Sequence, residues 1–222
     1  MKLQEFEHHF FNQKEVSSSE FNKDYFDGEW RKEKMSYNLE SRREIEGKNP
    51  ANIINYFKPT KALDVGCGPG SLVALLQENG FNECHGIDIS KEAIESAPTN
   101  IRNRLSVGTS TDIKFENNSY DLVICREVLE HLTIRDVFRT VKEMCRISKK
   151  YVYVTTRFHP NPLTLFDFTT DFEVDPTHIT CLNKDLLRLF FNLNGFKNSI
   201  HIEEKIDWLK KGRALVYEKI LF

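Results

Sequence analysis

No apolar run in the chain approaches the ~20 residues of a membrane-spanning helix, so no membrane partner is expected. The opening residues, Met1-Lys2-Leu3-Gln4-Glu5-Phe6-Glu7, lack the apolar stretch of a signal peptide, and a cytoplasmic location is expected. Basic charge is not in excess: 31 Lys and Arg stand against 33 Asp and Glu, for a formal net charge of −2. Nucleic-acid proteins usually carry a basic stripe, so no nucleic-acid partner is expected. The five cysteines, at 67, 84, 125, 145 and 181, form no Cys-x-x-Cys pair. Scattered and odd in number, they fit reduced thiols rather than a disulfide framework. Internal repeats and low-complexity tracts are also missing.

What is there fits an ordinary globular protein. The 222 residues are 40% hydrophobic and 29% charged, enough for a real core in one domain with an elaboration. Residues 1–48 are polar, irregular and dotted with aromatics, with a loop at Ser17-Ser18-Ser19. They read as a cap segment, and 49–222 as the main domain. Asn49-Pro50 reads as an N-cap followed by proline at the first helical position, with Ile53, Ile54 and Phe57 as the apolar face. Strands and helices then alternate. Ala62–Val65, His85–Ile89, Leu105–Val107, Tyr120–Cys125 and Tyr151–Thr155 read as strands. Ser71–Asn79, Lys91–Ala97 (capped by Ser90) and Asp136–Arg146 read as helices.

Such alternation predicts an α/β fold, a Rossmann-like doubly wound and mostly parallel sheet with helices on both faces. Residues 156–182 break the rhythm with Pro160, Pro162 and Pro176 and read as an insertion over the site. A helix capped by Asn183 follows and is closed by Gly195. Strands at about Ser199–Glu203 and Arg213–Leu221, joined by a turn at Lys210-Lys211-Gly212, form an antiparallel C-terminal hairpin.

The stretch Leu63-Asp64-Val65-Gly66-Cys67-Gly68-Pro69-Gly70 is the most informative in the chain. A buried strand breaks into a glycine turn and runs at once into an apolar helix. Glycine admits a tight turn and lets a ligand approach with no Cβ in the way. The helix behind it offers free N–H groups. The spacing is D-x-G-x-G-x-G, not the G-x-G-x-x-G of a dinucleotide fingerprint. Asp88 follows Asp64 by 24 residues, at the end of the second strand. A carboxylate there can accept both hydroxyls of a ribose, and fits either a nicotinamide dinucleotide or S-adenosylmethionine.

These residues resemble motif I of the class I S-adenosylmethionine-dependent methyltransferases. Two further stretches extend the resemblance to the small-molecule branch of that family. Gly108-Thr109-Ser110-Thr111-Asp112-Ile113-Lys114-Phe115 through Asp121 is similar to its G-D-x-x-x-L-P-F segment, with Thr109 standing where an aspartate is usual. Glu127-Val128-Leu129-Glu130-His131-Leu132 matches its E-V-L-E-H-L. The resemblance implies S-adenosylmethionine as cofactor. It also implies a cofactor site: Asp64, Gly66, Cys67, Gly68 and Gly70 in and before the loop, Asp88 on the ribose and Ile89 on the adenine. Thr109 and Ser110 would meet the adenine amino group, and Arg126 would border the methionine end.

Two histidines carry the catalytic expectation. His131 closes the E-V-L-E-H-L stretch, and His178 ends Asp175-Pro176-Thr177-His178 in the insertion. An imidazole titrating near neutral pH is the usual general base. A metal held by His178 with Asp175 or His159 was the weaker reading, since the spacing matches no metal signature, and no metal ligand is assigned. D-P-T-H resembles stretches in methyltransferases of sugar and glycan pathways. The sequence therefore predicts methyl transfer to a small-molecule acceptor, a hydroxyl by preference, and leaves the oligomeric state open. The alternatives are an N-methyltransferase, a nicotinamide-dependent oxidoreductase and a non-catalytic S-adenosylmethionine-binding regulator.

Overall fold

The computed structural model describes residues 10–28, 36–159, 166–167, 175–206 and 212–220. A seven-stranded sheet runs in the order β3-β2-β1-β4-β5-β9-β8. Its strands are β1 (Ala62–Val65), β2 (Cys84–Asp88), β3 (Leu105–Val107), β4 (Tyr120–Arg126), β5 (Ser148–Thr155), β8 (Phe196–Asn198) and β9 (Ala214–Lys219). Strands β1 to β5 pair in parallel. β9 pairs antiparallel with β5 on one side and with β8 on the other. A two-residue pair, β6 (Phe166–Asp167) with β7 (Cys181–Leu182), stands apart from the sheet.

The sheet is buried on both faces, as parallel strands require. Along β4, Leu122 and Ile124 join one core while Val123 and Cys125 join the other. That alternation is the period of two of an extended chain. Helices α6 (Ile134–Ile147) and α7 (Lys184–Leu193) cover the second face through Val137, Val141, Met144, Leu187 and Phe191. The other face receives α3 (Asn49–Phe57), α4 (Ser71–Glu78) and α8 (Ile200–Ile206) through Ile53, Phe57, Leu72, Leu76, Ile202 and Ile206.

Local chemistry sets the boundaries. Thr133 caps α6, Ser90 caps α5 (Lys91–Ser96) and Asn183 caps α7, each accepting a first-turn N–H on its side chain. Gly70 takes the left-handed conformation at the start of α4. A Cβ there would meet Ile101 and Leu105 at 2.7 and 2.6 Å, so this glycine lets the helix pack closely on β3.

Three expectations are corrected. Residues 1–48 are not irregular throughout: α1 (Lys23–Asp27), α2 (Leu39–Glu46) and a 3-10 turn at Ser18–Glu20, capped by Ser17, lie within them. Asn49 is the first residue of α3 rather than its cap, and its amide donates to Glu46 Oε2 at 2.6 Å. Ser199–Glu203 is not a strand. The strand is Phe196–Asn198, and α8 begins at Ile200 because Ile202 and Ile206 repeat at a helical spacing and bury. The antiparallel pairing survives, with α8 in the connection. The turn at Lys210-Lys211 and residues 160–165 and 168–174 of the insertion, with Pro160 and Pro162, lie outside the described residues.

Candidate functional site

One cavity of about 620 Å³ opens at the carboxyl ends of the parallel strands. Ligands of such sheets bind there, at the point where strand order reverses. Here that point lies between β1 and β4. The loop after β1 forms one wall, with Gly66, Gly68 and Gly70 all at positive φ. A Cβ on Gly66 would lie 2.3 Å from Val128 Cγ2, and one on Gly68 2.9 Å from the Phe26 ring.

At the end of β2 the Asp88 carboxylate is tied to the backbone. Oδ2 accepts from the Gly68 N–H at 2.7 Å and Oδ1 from the Ser90 N–H at 2.8 Å. Burial holds its pKa above the ordinary value against those bonds. Beside it Ile89 is exposed at 45% and lines the cavity. Thr109 and Ser110 line the same end; Ser110 Oγ shares a hydrogen bond with Thr140 Oγ1, and Thr109 Oγ1 with Thr111 Oγ1.

The floor is charged and almost dry. Asp64 is pushed up to about 7 by burial, with the nearby Asp88 carboxylate adding to the rise and Arg126 opposing it. Arg126 makes two bonds to the Glu46 carboxylate of α2, at 2.8 and 3.0 Å. Burial opposes both charges, but each holds the other ionised. Glu46 lies below and Arg126 above its ordinary pKa.

The N-terminal segment roofs the cavity. Phe21, Tyr25, Phe26 and Tyr37 line it. Backbone anchors hold them: Ser90 Oγ donates to the Phe21 carbonyl, Ser71 Oγ to the Tyr37 carbonyl, and the Lys23 N–H to Glu92. Arg43 clamps α2 to α4 through two bonds to Glu78, at 2.6 and 3.1 Å. Gln13 reaches two segments at once, donating to Ile179 O and Thr180 Oγ1 and accepting from the Ile134 N–H.

Beyond the roof the two histidines meet. Their ring centroids are 4.7 Å apart, and both rings are buried in the cavity wall. His131 Nδ1 lies 2.9 Å from Thr177 Oγ1. Phe21 packs edge-on against the His131 ring at 5.3 Å and Tyr25 at 6.3 Å. Asp175 Oδ1 accepts from the Thr177 N–H and hydroxyl, and its Oδ2 lies 3.6 Å from His178 Nε2. Glu130, His131 and His178 bring one donor atom each within 4.8 Å of one another. Burial holds the Glu130 pKa well above its ordinary value, with the Glu127 charge adding to the rise, and Glu130 accepts from Thr156 Oγ1.

The structure thus gathers Asp64, Gly66, Cys67, Gly68, Asp88 and Ile89 around one space, joined by Thr109, Ser110, Arg126, His131 and His178. Gly70 is the exception. It does not line the cavity and serves helix packing. Arg126 stands on the floor as expected, but with Glu46 as its partner. Sequence reasoning missed Glu46, Phe21, Arg157 and Arg213 as lining residues. Only Glu46 left a trace: a glutamate between Ile45 and Gly47 at a helix end, which nothing local marks as buried.

The comparisons place the chain. Residues 63–154 match the family model described as a methyltransferase domain. An uncharacterised methyltransferase of Bacillus subtilis, YcgJ, is 29% identical over 68% of this chain and 65% of its own length. An ajmaline N-methyltransferase of Rauvolfia serpentina is 31% identical over 41% of this chain and 33% of its own. A ubiquinone biosynthesis O-methyltransferase of Rickettsia typhi is 40% identical over 35% and 33%. The chain therefore spans between a third and two thirds of these curated relatives. Among solved structures, magnesium protoporphyrin IX methyltransferase from Synechocystis, with bound S-adenosylhomocysteine, superimposes with a TM-score of 0.64 at 17% identity. The match covers 91% of this chain and 97% of that one. Residues 63–154 thus match a methyltransferase domain, and the fold is the one seen in solved S-adenosylmethionine-dependent methyltransferases. The cofactor of this chain is S-adenosylmethionine.

The residues present fit that group. A Cβ would crowd the turn at Gly66 and Gly68, leaving bare backbone beside the space. Asp88 offers carboxylate lone pairs to hydroxyls, and Asp64 is poised to ionise near neutral pH beside a cation.

Proposed function

We propose that this chain transfers a methyl group from S-adenosylmethionine to a hydroxyl of a small-molecule acceptor, with His178 taking the hydroxyl proton and His131 beside it. The observation that carries this reading is the pairing of two buried imidazoles in the wall of the cavity that also holds the glycine loop. In this reading Asp88 accepts the ribose hydroxyls and Ile89 packs on the adenine. Thr109 and Ser110 meet the adenine amino group, and Asp64 takes the positive end of the methionine portion. The sulfonium supplies a methyl group that is electrophilic without further activation.

The rest falls to the chain. The rings of Phe21, Tyr25, Phe26 and Tyr37 exclude water. The cavity wall fixes the acceptor oxygen in line, which removes much of the entropic barrier. His178 Nε2 faces Asp175, and its imidazole, in the cavity wall, takes the acceptor proton. Residues 1–48 act as the cap and 156–182 as the substrate-side cover of the 49–222 domain.

An acceptor library of sugars, other alcohols and amines, read by S-adenosylhomocysteine release, tests the proposal. Hydroxyl acceptors should turn over. His178→Ala should cut their rate by ~10²–10⁴ while leaving cofactor affinity nearly intact. Turnover confined to amines, with a mild His178→Ala effect, would make this an N-methyltransferase. Cofactor binding with no turnover on any acceptor would favour a regulatory module.

A further inference from the structure

Asp175 is 4% exposed, yet its carboxyl sits below the ordinary range. Burial pushes it up; the two bonds from Thr177 and the nearby His178 and His131 outweigh that push. Its contacts reach both histidines by separate routes. Oδ2 approaches His178 Nε2 directly at 3.6 Å. Oδ1 holds the Thr177 hydroxyl at 2.6 Å, and that hydroxyl in turn meets His131 Nδ1 at 2.9 Å. A fourth group comes from the far end of the chain: Tyr25, in α1 of the cap, donates its hydroxyl to Asp175 Oδ2 at 3.2 Å across 150 residues of sequence. The Tyr25 ring also lies against His131 and against Phe26, which roofs Gly68.

We propose that Asp175 is the positioning residue that orients both histidines of the site, and that Tyr25 of the cap holds Asp175 in place, so that seating the cap completes the proton-handling group. The inference rests on the histidine reading above and extends it to Asp175 and Tyr25. A carboxylate beside an imidazole fixes its tautomer and favours its charged form. Here one carboxylate serves two rings, and the cap supplies a further donor to it. Among the described residues, the ionisable groups facing His178 are Asp175 from its own turn, and His131 and Glu130 from the turn after β4. Those at His131 are His178, Glu130 and the Tyr25 hydroxyl. Burial pushes the Glu130 pKa well up, whereas Asp175 lies below its ordinary value and approaches His178 directly.

Histidine-selective NMR titration of the full chain tests this with neither acceptor nor turnover. In Asp175→Asn the amide oxygen still accepts from Thr177, so the turn is kept, while the charge and the acceptor facing His178 and Tyr25 are lost. The His178 pKa should then fall by about one to three units, the usual effect of removing a neighbouring opposite charge, and the His131 pKa by less. In Tyr25→Phe the Asp175 carboxyl carbon should titrate at higher pH, because a donor to the carboxylate is gone. If Asp175→Asn does not fold, the wild-type Asp175 carbon decides instead: its shift should report protonation of the histidines.

Histidine pKa values unchanged in Asp175→Asn would overturn the proposal and leave Asp175 a turn former. An Asp175 carbon blind to the histidines, or unmoved in Tyr25→Phe, would do the same for its links to the rings and to the cap. A chain that methylates only amines would sink the hydroxyl reading and leave these titrations as they are.

Discussion

Asp64 is the residue whose environment most constrains the site's behaviour with pH. Its carboxyl titrates at about 7 in the fold, against 3.8 ordinarily, chiefly because it is buried. The folded state therefore holds this proton more tightly than the unfolded chain. The stability it contributes is full below pH 4 and is lost as pH rises through 7, an effect on the order of 4 kcal/mol. Urea denaturation at pH 5 and pH 8 should show a larger loss in wild type than in Asp64→Asn; parallel losses would contradict the burial argument. The two loop glycines should separate by readout. Gly66→Ala drives a methyl into Val128 at positive φ and should cost about 1–3 kcal/mol of stability. Gly68→Ala meets the ring of Phe26, which belongs to the cap, and should weaken S-adenosylhomocysteine binding more than it lowers the melting temperature. The loop and Asp88 stand out in the sequence by their spacing and the two histidines by the resemblance, and all of them line the one cavity save Gly70. The contacts at Thr177 do not stand out, since it meets a histidine 46 residues away.

At the scale of elements, α2 is fastened by one buried ion pair. Glu46 side-chain exposure is 2% and Arg126 is 15%. Removing one member leaves the other charge buried and alone, which typically costs ~3–5 kcal/mol. Glu46→Gln should therefore lower stability by about that amount in denaturant unfolding. Arg43→Ala breaks an exposed, solvent-screened pair on the same helix and should cost far less. Equal effects would mean that α2 is held by packing. The strands of the parallel sheet were readable because each is a short apolar run, buried on both faces and bounded by turns. The segment after Gly195 misled because Ile200 and Ile202 alternate as in a strand while Ile202 and Ile206 repeat as in a helix. Tertiary burial chose the helix, and no local signal decides between them. Asn49 misled for a similar reason: an asparagine before proline suits a cap, but a buried glutamate outside the local pattern takes its amide.

On the scale of the whole molecule, the cavity is built by segments distant in sequence: a roof from residues 16–26 and 37–45, a floor from β1, β2 and β4 with Glu46, and a far wall from 175–178 and Arg213. The central domain was legible since its strands and helices alternate in order. The roof was not, because its helices are short and polar and owe their order to contacts such as those of Gln13 and Ser90. Closing that roof on a ligand should register as slower hydrogen exchange across 10–28 and 36–48 when S-adenosylhomocysteine is added; unchanged exchange would make the cap a fixed packing element. The most direct test of the account is calorimetry with S-adenosylhomocysteine on wild type and Asp88→Ala, with a nicotinamide dinucleotide as control. The account predicts micromolar binding to wild type, on the order of −8 kcal/mol. It predicts a loss of about 1.5–3 kcal/mol or more in Asp88→Ala, since hydrogen bonds to a charged group are withdrawn, and no response to the dinucleotide. Dinucleotide binding with no S-adenosylhomocysteine signal, or equal affinity for Asp88→Ala and wild type, would contradict it.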